Sequence, residues 1–161
     1  MTLHEMNTAD RDTVRDRLMR CCGSEGWASA MLMRRPFANA DSLYNTADEL
    51  WWGLPQTAWL EAFSRHPRIG EKKQMSEWSA AEQRGMSTAN GRTARALHDL
   101  NRRYESKFGW IFIACATGKS ADEMKAALEQ RLENSATEEI RIAASEQAKI
   151  TRLRLEKLLA E

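Results

Sequence analysis

Prolines are scarce, three in 161 residues, and glycines number only eight. A chain so poor in breakers is not a loop-rich or low-complexity sequence, and neither an internal repeat nor a biased segment interrupts it. Net charge is nearly absent as well. Twenty-four Lys and Arg against 23 Asp and Glu leave +1, so no electrostatic reason exists to expect nucleic acid or an anionic membrane as partner. Long apolar runs are missing: the longest, Trp110 to Ala116, falls far short of the ~20 residues of a membrane span. Mean hydropathy is −0.63. No apolar stretch follows the early charges, so no signal peptide is expected, and the closing Leu-Ala-Glu is no targeting address. The three cysteines, Cys21, Cys22 and Cys115, make an odd count with one adjacent pair. That is a poor disulfide framework and reads as a cytosolic protein with reduced thiols. The three histidines, His4, His66 and His98, fall at no metal-ligand spacing with each other or with cysteine. No metal is therefore expected.

What is abundant favours helix. Ala, Leu, Glu, Arg, Lys and Met dominate and β-branched residues are few. Three Ser-x-x-Glu boxes, Ser79–Glu82, Ser120–Glu123 and Ser135–Glu138, place helix starts near 79, 120 and 135, because serine caps an amide three residues on while glutamate reaches back. Pro and Gly mark other boundaries. A helix opens near Thr8 and stops near Gly23. Others run from Ser24 to Arg35, from Ser42 to Trp52, from Pro55 to Ser64 and from Thr88 to Lys107. Residues 71–77 read as polar loop. The apolar run 110–116 fits a strand or a buried helical turn, and periodicity does not decide between them. Residues 120–161 read as a helical hairpin broken near Asn134. The expectation is an all-α single domain over residues 1–161, with about seven to nine helices and a long C-terminal helical hairpin.

Four places carry candidate chemistry. His66 sits in His66-Pro67-Arg68-Ile69-Gly70, where Pro67 disfavours helix at His66 and Gly70 permits a turn. Such a loop holds an imidazole on stiff backbone, as a preorganised acid or base requires; the plainer reading is an idle loop histidine. Glu82 lies in Trp78-Ser79-Ala80-Ala81-Glu82-Gln83, and its plainer role is the capping box. The start of that helix follows the His66 loop, however, and a carboxylate beside an imidazole raises its proton affinity and orients its ring. Arg154 shares a stripe with Ile150 and Leu158, so it faces the apolar side and needs an anionic partner, from the protein or from a ligand. Arg152, by contrast, reads as a solvated ion pair with Glu156. Gly118-Lys119-Ser120 looks like the tail of a phosphate loop. The glycine such a motif needs five residues earlier is Ile113, so nucleotide binding is rejected and Ser120 is read as a cap. Six tryptophans and eight methionines read as core packing. No Gly-x-Ser-x-Gly nucleophile motif is present.

Taken together, these residues resemble a family. Trp51-Trp52-x-Leu54, the stretch from Trp59 through His66-Pro67-Arg68-Ile69-Gly70, Trp78-Ser79-x-x-Glu82-Gln83, Leu100-Asn101-x-x-Tyr104-Glu105-x-x-Phe108-Gly109, and Lys149-Ile150-x-x-Leu153-Arg154-Leu155 are similar, in order and spacing, to the 2-oxo-4-hydroxy-4-carboxy-5-ureidoimidazoline (OHCU) decarboxylases of urate degradation. The resemblance runs from about Ala47 to the end. It implies an all-helical, cofactor-independent carboxy-lyase, a homodimer, that converts OHCU to (S)-allantoin in purine catabolism. It also implies that His66 is the proton donor and Glu82 its carboxylate partner, and that Pro67, Ser79, Gln83 and Arg154 contact substrate. Main-chain groups of Phe112, Ile113, Ala114, Cys115, Ala116, Thr117 and Gly118 would form another wall of the pocket. Two competing expectations are a helical adaptor without chemistry and a different cofactor-free decarboxylase or lyase on the same scaffold.

Overall fold

The computed structural model describes residues 1–69, 78, 82, 84 and 91–161. Among the described residues eight helices are complete and there is no strand, as expected of an all-α chain. They are α1 (Leu3–Thr8), α2 (Arg11–Cys21), α3 (Glu25–Met33), α4 (Ala40–Trp52), α5 (Gln56–Ser64), α6 (Gly91–Phe108), α7 (Ala121–Arg131) and α8 (Ala136–Ala160). Trp78 and Glu82 are also helical.

The helix starts show what the sequence signals do. Ser120 accepts from Glu123 N while the Glu123 carboxylate accepts from Ser120 N, so both arms of that expected box are made. Ser135 accepts from Glu138 N at 3.2 Å. The third box needs Ser79, which lies outside the described residues. The helix expected to open near Thr8 is α2, which starts at Arg11, and a short helix that was not expected, α1, precedes it. Thr2 and Glu5 form a capping box that starts α1 three residues into the chain. Asp10 then accepts from Thr13 N at 2.9 Å and starts α2, so an N-cap turns the chain at Ala9 and Asp10. Gly53 closes α4, and Pro55 stands at the N-cap of α5 rather than inside its first turn. The break near Asn134 is present between α7 and α8.

Backbone contacts gather the chain into two compact units. The first holds residues 1–65 and 148–161, the second residues 66–147. In the first, α3 packs against α2, α4 and α5, and Trp27, Met31, Leu18, Leu43, Trp51 and Phe63 are almost wholly buried. Burying such a side chain is worth roughly 1.5–3 kcal/mol each. The buried indoles keep their N–H groups satisfied: Trp27 Nε1 donates to Ala47 O and Trp59 Nε1 to Trp51 O, both at 3.0 Å. In the second unit α6 packs on α7. Leu97, Leu100, Asn101, Tyr104 and Phe108 recur every three or four residues along α6 and form its buried stripe. Met124 and Leu128 of α7 and Phe112, Ala114 and Ala116 complete that core.

Candidate active site

His66 follows directly from the end of α5, whose C-cap is Arg65. As the His-Pro step requires, residues 66–68 leave the helical path. Two side chains one turn apart on α6 secure what comes next. Asn101, itself buried, donates from Nδ2 to Ile69 O at 3.1 Å. Arg68 reaches the Glu105 carboxylate through Nε, at 3.1 and 3.0 Å to its two oxygens, and through a terminal nitrogen at 2.8 Å. The loop bearing the imidazole is therefore gripped by one main-chain and one side-chain contact to a rigid helix.

The imidazole has a partner the sequence reading missed. His66 Nε2 lies 2.6 Å from Gln147 Oε1. Gln147 is fully buried on α8, whereas His66 is half-buried. A carboxamide oxygen only accepts, so Nε2 donates and carries a proton in this arrangement. The helical-stripe rule that singled out Arg154 would have found Gln147 as well. Carried back from Ile150 by three and then four residues, the stripe reaches Gln147 and Ala143, both without exposed surface.

Residues 111–116 are neither a strand nor a helical turn. They form an irregular segment whose Phe112, Ile113, Ala114 and Ala116 side chains are buried. Its main chain is satisfied by side chains instead of by a neighbouring strand. Arg131, also buried, donates to Ile113 O at 2.7 Å, and its guanidinium lies 4.3 Å from the Phe112 ring centroid. That guanidinium is held in turn by the fully buried Glu139 carboxylate, at 2.5 and 3.2 Å. Cys115 N donates to the Glu146 carboxylate at 3.2 Å. Two main-chain groups expected to face a ligand, Ile113 O and Cys115 N, thus already serve the fold. Thr117 and Gly118 are exposed. Gly118 has φ +77°, and Lys119 N closes the turn onto Ala116 O at 3.0 Å. A left-handed turn leading into the Ser120 cap accounts for this glycine without any phosphate.

Glu82 is half-buried. Burial pushes the Cys115 thiol above its ordinary value, and the negative charges of Glu146 and Glu82 push it further. Glu82 therefore shares one electrostatic neighbourhood with Cys115 and Glu146, and Glu146 is the chain neighbour of the residue that holds His66. Among the expected site residues, His66, Pro67, Glu82 and the segment 112–118 belong to the second unit. Ser79 and Gln83 lie outside the described residues.

Arg154 belongs to the first unit and is buried, as its stripe position requires. It donates to Arg20 O at 3.2 Å. Its positive charge acts on Cys21 and Cys22, but burial dominates and pushes both thiols up to about 12. Those cysteines are core residues, consistent with the sequence assigning them no chemistry. Arg152 forms the expected surface pair with Glu156 at 2.7 Å and also covers the Tyr44 ring at 4.2 Å. Among the described residues no cluster of His, Cys, Asp and Glu could hold a metal ion, and no helix is long and apolar enough to cross a membrane.

Comparison with known proteins bears on these positions. The family model described as OHCU decarboxylase matches residues 7–156. The uric acid degradation bifunctional protein TTL of Arabidopsis thaliana is 40% identical over 153 residues, which cover 88% of this chain and 46% of that protein. The 2-oxo-4-hydroxy-4-carboxy-5-ureidoimidazoline decarboxylase of Halalkalicoccus jeotgali is 28% identical over 98% of this chain and 92% of its own. The chain thus spans about half of the bifunctional plant relative and nearly all of the archaeal one. A crystal structure of an OHCU decarboxylase in the presence of (S)-allantoin superposes with a TM-score of 0.81 at 40% identity, over 91% of this chain and 99% of that one.

Proposed function

The chain belongs to the OHCU decarboxylase family, and from that premise we propose that it removes CO₂ from OHCU and protonates the product to (S)-allantoin, near the end of urate breakdown. One observation carries the reading: the likeness to a solved OHCU decarboxylase covers both chains almost completely, at 40% identity. The helical adaptor is the weaker alternative, because it leaves the secured His66 loop without a purpose.

The chemistry asks little of the protein beyond placement. Breaking the bond to the carboxylate releases CO₂, and the electron pair passes into the adjacent ring C=N bond. The hydroxyl-bearing carbon then becomes a carbonyl as its proton moves to the ring nitrogen, and the ureido-bearing carbon takes up the proton that sets the product's handedness. The substrate thus carries its own electron sink, and the reading needs no cofactor. The protein must hold the ring in one pose, stabilise the charge that passes into it and deliver a proton to one face of the ureido-bearing carbon. In this reading His66 is the acid. Glu82 favours its protonated form and, facing the departing carboxylate, disfavours the ground state. Arg154, Gln83, Ser79 and Pro67, with main-chain groups of residues 112–118, hold the ureido and ring oxygens. Cys115 N contributes only if it leaves the Glu146 carboxylate, whereas Ile113 O has a second lone pair beside its bond from Arg131. The acting unit is the single domain 1–161 as a cytoplasmic homodimer.

The test is OHCU generated in place from urate and followed by circular dichroism. OHCU also decays unaided, so the handedness of the product is a sharper readout than loss of substrate. The wild type should give a single, (S)-handed signal at an accelerated rate. His66→Ala should fold and lose about 10²–10⁴-fold in kcat, the usual worth of general acid catalysis. Full (S)-specific turnover by His66→Ala would remove His66 from the mechanism, and a wild type that leaves the decay racemic and unaccelerated would defeat the decarboxylase reading itself.

A further inference from the structure

We infer that Gln147 is the positioning residue of the acid: its carboxamide oxygen fixes the His66 ring and keeps a proton on Nε2, so that the proton delivered to the ureido-bearing carbon leaves from Nδ1. The inference rests on the decarboxylase reading for its functional half and on the 2.6 Å contact for its structural half. Gln147 is fully buried on α8, where burying a carboxamide without a partner is costly, and it directs that oxygen at a half-buried ring. The oxygen can only accept, so it stabilises the two forms of imidazole that bear a proton on Nε2: the imidazolium and the neutral Nε2–H tautomer. The remaining tautomer would set a lone pair against the amide oxygen.

The consequence for the reaction follows by balance. After CO₂ leaves, the imidazolium gives its Nδ1 proton to the ureido-bearing carbon, and the N–H electron pair stays on Nδ1. The neutral ring keeps its Nε2 proton on Gln147 and regains a proton from water at Nδ1. The ring therefore never turns between cycles. Asn101 holds the backbone of the loop and Glu105 its Arg68 side chain, and Gln147 holds the His66 ring itself through Nε2.

The experiment pairs two substitutions that a packing role and a positioning role rank in opposite order. Gln147→Met keeps the volume and the unbranched shape but removes the carboxamide acceptor; Gln147→Glu keeps an acceptor and adds charge at a buried position. If Gln147 positions His66, Gln147→Met should lower kcat about 10–10²-fold, the scale of a small misplacement of a catalytic group. KM should stay within about twofold and the enantiomeric purity of the allantoin should fall, while Gln147→Glu should keep the larger share of kcat. Wild-type kcat and handedness in Gln147→Met, with loss in Gln147→Glu, would overturn the inference. Nitrogen-15 spectra of histidine-labelled wild type probe the contact directly, with neither variant nor turnover. A His66 signal protonated at Nε2 and hydrogen-bonded supports the assignment; an unprotonated Nε2 in the neutral ring overturns it. Because that measurement uses no substrate, it separates a wrong partner for His66 from a wrong reaction for the chain.

Discussion

Replacing Glu139 by alanine should unfold this protein more readily than any loss of a surface charge. The carboxylate has no exposed side-chain surface and its partner Arg131 has 10%. Removal leaves a guanidinium in a site closed by Tyr104 and Phe112. Breaking a buried pair from one side costs about 3–5 kcal/mol, because the remaining charge stays desolvated. For a chain of this size each kcal/mol lowers Tm by roughly 2–4 °C, so the expected fall is roughly 6–20 °C. Arg152→Ala is the control. Its pair with Glu156 is about half exposed on both sides, and such pairs are worth about 0–1 kcal/mol. The double variant Arg131→Met with Glu139→Leu removes both charges at once and should recover most of the loss. It should still fall short by about 1–3 kcal/mol, because Ile113 O loses its donor. Thermal and urea unfolding of the four proteins measure all of this. A Glu139→Ala variant no less stable than Arg152→Ala would refute the claim that this pair is a closed electrostatic unit.

Three further expectations are independent of that one. Asn101→Ala strands the Ile69 carbonyl and should lower stability by about 1–3 kcal/mol, with a fall in kcat beyond that of an equally destabilising change in the first unit; equal kcat in both would show the loop does not need its anchor. Arg154→Ala should raise KM more than it lowers kcat, and an unchanged KM would assign Arg154 a structural role, to which its contact with the Arg20 carbonyl belongs. Native protein should label at Cys115 alone, since Cys21 and Cys22 are buried with thiols pushed up to about 12. Their folded values exceed the unfolded 9.0, so the stability they carry is complete below pH 9 and is lost as pH rises towards 12; urea midpoints that fall less steeply over that window in Cys21→Ala or Cys22→Ala would confirm the sign, and rapid labelling of all three native thiols would contradict the burial.

Local signals were legible wherever one residue decides the backbone. Pro67 put His66 outside helix, Gly53 closed α4, and Ser120 with Glu123 began α7. The Ile150–Arg154–Leu158 spacing foretold a buried arginine. The misses have physical causes too. The short helix α1 was not foreseen, because a six-residue helix started by the cap at Thr2 rests on single hydrogen bonds and leaves no periodicity. The run 110–116 is apolar on every side, so neither a period of two nor one of 3.6 emerged; its form is set by Arg131 and Glu146, whose contacts reach 18 and 31 residues along the chain. Gln147 escaped because a glutamine in a helix passes for surface until the stripe is followed back far enough. Its partner lies 81 residues earlier, and a spacing rule does not name such a pair.

The irregular segment behind Cys115 has an implication for how such a chain changes over generations. A strand in its place would be held by backbone bonds indifferent to side-chain identity. Here the equivalent bonds come from one guanidinium and one carboxylate. Constraint is thereby moved off the segment and onto positions 131 and 146: half-exposed or exposed members such as Cys115 and Thr117 are at liberty to drift, whereas Arg131 and Glu146 are not. Substitutions meant to alter the surface of that segment while keeping its path belong at 115 and 117, with its two distant clasps left alone.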